Sequence, residues 1–81
     1  MKRFIADTSA FHAKIALARM GHARAKKEIL EGLTAFRWQV RSASVVAVGR
    51  ARMTEARSQI ASIRGVDPAL VDEALKLLGS K

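Results

Sequence analysis

Apolar residues recur along this chain at helical intervals in three segments. At 100° per residue, Phe11, Ile15, Ala18, His22, Ala25, Ile29 and Leu33 fall on one stripe, with Lys14, Arg19, Arg24, Lys27 and Glu28 off it. Asp7, Thr8 and Ser9 are good N-caps and Gly32 is a natural stop, so a first helix is predicted from there to about Leu30. Thr34 can cap a second helix reaching about Ile63. Its main stripe is Trp38, Ser42, Val45, Val46, Gly49, Met53, Ala56, Ile60 and Ile63, and a second strip runs through Phe36, Val40, Ala43 and Ala47. An unbroken helix of that length would measure ~45 Å, too long for a globule of this size unless it breaks, for instance near Gly49, or belongs to an elongated dimer.

Gly65 ends the second segment. Asp67 then caps a third helix with Pro68 at its first position, Leu70, Val71, Ala74, Leu77 and Leu78 form the apolar face, and Gly79 stops it. No alternating run bounded by turn residues reads as a strand. "ARMGHAR" at 18–24 and "ARMTEAR" at 51–57 match at five of seven positions, an echo between two alanine-rich basic helices. The expectation is an all-α single domain over residues 1–81: a long helical hairpin plus a short C-terminal helix.

Composition sharpens this picture. Apolar residues make up 49% of the 81 positions, but 15 of them are alanine, which buries little area per residue. So thin a core favours self-association through the alanine-rich stripes. There is no cysteine, which fits a reducing cytoplasm and excludes disulfides and cysteine-built zinc sites. The start "MKRFIADTSAF" resembles a signal peptide until Asp7 cuts off its apolar stretch, and no segment nears the ~20 apolar residues that span a bilayer.

The segment "IASIRGVDPALVDEAL", residues 60–75, resembles the helix-turn-helix family over roughly residues 54–78. In that resemblance Ile60 and Ile63 point inward, Ala61 is the small residue at the helix crossing, Gly65 supplies the turn, and Val66 plugs the angle. Asp67 caps the second helix, and Val71 and Ala74 pack it back on the first. The resemblance implies a DNA-reading helix at 68–78, yet its outward positions are Asp67, Pro68, Ala69, Asp72 and Glu73. Base reading uses Arg, Lys, Asn or Gln, and acids meet phosphate repulsion. Those residues point instead to a packing or protein-docking element. The glycine-apolar loop followed by "EAL" is also similar to the ubiquitin-associated three-helix module.

Charge directs the functional reading. The net charge is +8, and the basic residues precede residue 65 almost entirely. Such a body invites an anionic partner, either nucleic acid or an acidic protein surface. The candidate phosphate contacts are Arg37, Arg41 and Arg52, expected on one face of the second helix, with Arg50, Lys26 and Lys27, preceded by Arg19 and Arg24. Trp38 and Met53 are the candidate partner-interface residues, tryptophan being a frequent hot spot. Core packing is the default for Phe36 and Trp38, and base stacking would call for more exposed aromatics. The stripe is too poor in bulky residues for firm membrane insertion.

His12 and His22 lack metal-binding spacing, and His22 reads as a core or interface histidine. No metal site, cofactor or catalytic constellation is expected. The sequence thus points to a small, basic, non-enzymatic cytoplasmic protein. It would bind nucleic acid through phosphates, or act as an adaptor, inhibitor or structural subunit on an acidic protein surface.

Overall fold

The computed structural model describes residues 12–79, so the expected caps at Asp7, Thr8 and Ser9, and Phe11, lie outside the described residues. Helix α1 covers residues 12–19. It is followed by α2 (Ala23–Gly32), α3 (Trp38–Arg50), a 3-10 turn (Thr54–Ala56), α4 (Arg57–Ala61) and α5 (Pro68–Leu77). Among the described residues there is no strand.

Both long helices expected from the sequence are divided, and the hairpin with them. The first ends at a Schellman turn: Gly21 adopts φ +88°, its N–H donates to Ala18 O (2.9 Å) and the His22 N–H donates to Leu17 O (2.9 Å). His22 is no core residue. It is the exposed N-cap of α2, and its Nδ1 accepts from the Ala25 N–H at 3.3 Å. The second helix breaks in the same manner just past Gly49. There Arg52 takes the left-handed position (φ +56°), with its N–H on Gly49 O (3.2 Å) and the Met53 N–H on Val48 O (3.0 Å). The two echoed heptapeptides are therefore both chain reversals. They differ in register, since the left-handed residue is Gly21 in one and Arg52, which matches Arg19, in the other.

The third segment folds as its residues predict. Asp67 accepts the Ala69 N–H (2.9 Å), Pro68 opens α5, and Gly65 and Gly79 have φ +73° and +77°. Its packing differs from the resemblance. Ala61 is exposed, and α5 packs chiefly on α3, where Gly49 meets Ala74. A Cβ at Gly49 would stand 2.9 Å from the Ala74 Cα, so glycine is what lets the two helices approach. A second close approach joins α2 to α3, where Gly32 faces the buried Ser44 side chain.

Ile29, Val45, Val48, Met53 and Ile60 are fully buried and form the centre of the core. Ala18, Ala25, Ala47, Ala51, Ala56 and Ala74 fill the gaps between helices. The alanine stripes expected to mate with a second copy are thus largely used inside one chain. No helix among the described residues is long and apolar enough to cross a membrane.

Candidate functional site

The described cations fall into three groups. The first is paired with carboxylates. Lys26 Nζ lies 2.8 Å from Glu55 Oε2 and holds that carboxyl below its usual range. Lys14 (3.3 Å) and Arg24 (3.4 Å) pair with Glu28, whose carboxyl is lowered chiefly by Lys14. Lys26 is therefore withdrawn from the phosphate-contacting set expected of it.

The second group closes the fold. Arg41 was expected on a solvent face with Arg37 and Arg52. Instead its Nη1 donates to the carbonyls of Ala35 (2.9 Å) and Phe36 (2.8 Å), and its guanidinium lies against Gly65. It fixes the loop between α2 and α3 and ties it to the 62–67 turn. Arg57 Nη2 donates to the carbonyls of Leu78 (3.0 Å) and Gly79 (2.5 Å), capping the end of α5.

The third group has no ion pair among the described residues: Arg19, Lys27, Arg37, Arg50, Arg52, Arg64 and Lys76, all exposed. Three of these converge. A groove of about 780 Å³ is lined by Arg19, Arg50 and Arg52, with His12 and Glu73 and an apolar floor that includes Ile15, Ala16, Met20 and Leu77. Three guanidiniums against one carboxylate make a positive field over a surface that is partly apolar. Arg37 sits at the other end of α3, ~20 Å away at 1.5 Å per residue. The shared face expected for Arg37, Arg41 and Arg52 does not exist, because Arg52 lies beyond the end of α3.

The sequence points to Arg50 and Arg52 as site residues and to Arg19 only as a cation preceding the set, while His12 figures there only as a histidine without metal-binding spacing. A signal for Arg19 was present, since it aligns with Arg52 in the echoed heptapeptides. Met53 is 1% exposed and belongs to the core, so it offers no partner surface, whereas Trp38 is 59% exposed. Phe36 is 98% exposed, against the expectation of core packing. Among the described residues no cluster of three or more His, Cys, Asp or Glu could hold a metal ion. Comparison with protein families, curated proteins and solved structures finds no match to this chain.

Proposed function

We propose that this chain is a small, non-enzymatic nucleic-acid-binding protein of the cytoplasm that grips phosphates through Arg19, Arg50 and Arg52. The observation that carries this reading is the convergence of those three arginines, without an ion pair among the described residues, on one groove. Arginine matches phosphate geometry and is weakly hydrated, so it suits such contacts. Arg52 adds weight. A left-handed residue at a helix end is ordinarily glycine, and a side chain there costs about 1 kcal/mol. An arginine kept at that cost motivates a functional role for its guanidinium. Lys27 and Arg37 extend the positive surface, while α5, capped by the exposed Asp67, lends Glu73 and Leu77 to the groove wall and otherwise serves as scaffold.

Binding to a random-sequence duplex should weaken by roughly 0.9 log unit per log unit of salt for each phosphate neutralised. Arg50→Glu with Arg52→Glu should abolish binding at unchanged helicity. Binding that ignores both salt and these substitutions would refute the reading. A second reading, docking on an acidic protein surface, is favoured by the exposed Trp38 next to Arg37. It requires no response to DNA or RNA at low salt and a stable complex with one acidic partner. Pairing of two copies would use surfaces other than the buried alanines, such as the exposed Leu17 and Met20.

A further inference from the structure

We propose that the loop between α2 and α3 is a stacking platform for unpaired bases, so that the favoured ligand is single-stranded rather than duplex nucleic acid. This inference rests on the phosphate-contacting reading above. Phe36 is 98% exposed and Trp38, the first residue of α3, is 59% exposed, with Arg37 between them. One ring from the loop and one from the first turn of α3 are thus presented to solvent, where core packing was the expectation for both, and their exposure removes the objection to base stacking drawn from the sequence.

The loop that carries them is held in place. The carbonyls of Ala35 and Phe36 both accept from Arg41, the Ala35 N–H donates to Gly32 O (3.2 Å) and the Thr34 N–H donates to Glu31 O (3.2 Å). These four bonds fix the backbone that leads to the rings, so the loop itself needs little ordering on binding. Arg37 is exposed and has no ion pair among the described residues, and Arg64 is exposed in the turn that Arg41 ties to this loop.

The occupant must therefore carry negative charge and accessible flat apolar faces. A single strand has both: its phosphates meet Arg37 and Arg64 while its bases stack on Phe36 and Trp38. A duplex keeps its base faces stacked inside and offers phosphates alone. A second copy of this chain would bring the same positive charge to the same place, which opposes self-docking here. The platform lies at the opposite end of α3 from Arg50, ~18 Å from Trp38 to Arg50 along the helix, so each can be altered without touching the other.

Trp38 is the only tryptophan, so its emission reports the platform directly. The full chain is titrated, at one salt concentration, with a 20-nucleotide polythymidine strand and with a 20-base-pair random duplex. The strand should bind about tenfold or more tighter and quench Trp38 emission. Phe36→Ala should weaken strand binding about tenfold while duplex affinity and helicity stay unchanged, and Trp38→Phe, followed with a labelled strand, should retain most of the affinity. Equal affinity for strand and duplex with Trp38 emission unmoved overturns the platform and leaves the arginine groove standing. Absence of binding to both overturns the two readings together. A blue shift of Trp38 on phosphatidylserine-containing vesicles, with no response to the strand, assigns the loop to a lipid surface and likewise overturns the proposal.

Discussion

Arg52 and Arg41 illustrate how differently one residue type is used within a few turns of chain. Arg52 holds a left-handed backbone at the end of α3, whereas Arg41 spends its charge on two loop carbonyls. Arg52→Gly should therefore stabilise the fold by up to about 1 kcal/mol in urea denaturation, because glycine adopts that conformation without Cβ strain. The same substitution should weaken nucleic-acid binding and lower the salt slope by roughly 0.9. Arg41→Ala should destabilise by about 1–3 kcal/mol, since it leaves the part-buried Ala35 carbonyl without a donor and releases the loop from the 62–67 turn. None of this division of labour was legible in the sequence, where Arg37, Arg41 and Arg52 look like one row. Which carbonyl or carboxylate captures a long cation depends on contacts distant along the chain, as Lys26 with Glu55 and Arg57 with Leu78 both show.

At the scale of elements, the third helix was the most legible. Its cap, its first-position proline and its stop are local chemistry, and each does what its residue type dictates. The division of the first helix was hidden because the apolar stripe passes through it, whereas a break of the second near Gly49 follows from its excessive length and is found, although its local geometry was not legible. At the first, "MGH" keeps the helical period while Gly21 leaves it; at the second, no glycine occupies the left-handed position at all. The break expected near Gly49 does fall just past it, but Gly49 itself is helical and serves close packing in the last turn of α3. Gly49→Ala accordingly tests two opposed effects. Helix propensity favours alanine by about 1 kcal/mol. The new Cβ, however, would meet the Ala74 backbone, which cannot rotate aside, and overpacking of this kind costs about 1–3 kcal/mol. A net loss is expected, read as a lower urea midpoint at constant m-value.

For the molecule as a whole, net charge was plain in the sequence, whereas its sorting into paired, structural and unpaired cations required the fold. The paired set makes stability depend on acid. Glu28 and Glu55 titrate below their ordinary value of 4.5 in the folded chain. Protons therefore bind the unfolded state first, so their contribution is complete above pH 4.5 and disappears as pH falls through the folded-state values. The melting temperature should drop on acidification below about pH 4.5, and Lys26→Ala should remove the larger share of the part due to Glu55, the rest coming from a backbone hydrogen bond to that carboxylate. The architecture also bears on motion. Between residues 12 and 19 the buried Ala18, the half-buried Ile15 and the Lys14–Glu28 pair fasten α1 to the rest, and α1 supplies Arg19 to the groove. Undocking of this segment and release of an anionic ligand are then a single linked equilibrium: hydrogen exchange of its amides should slow in proportion to ligand occupancy.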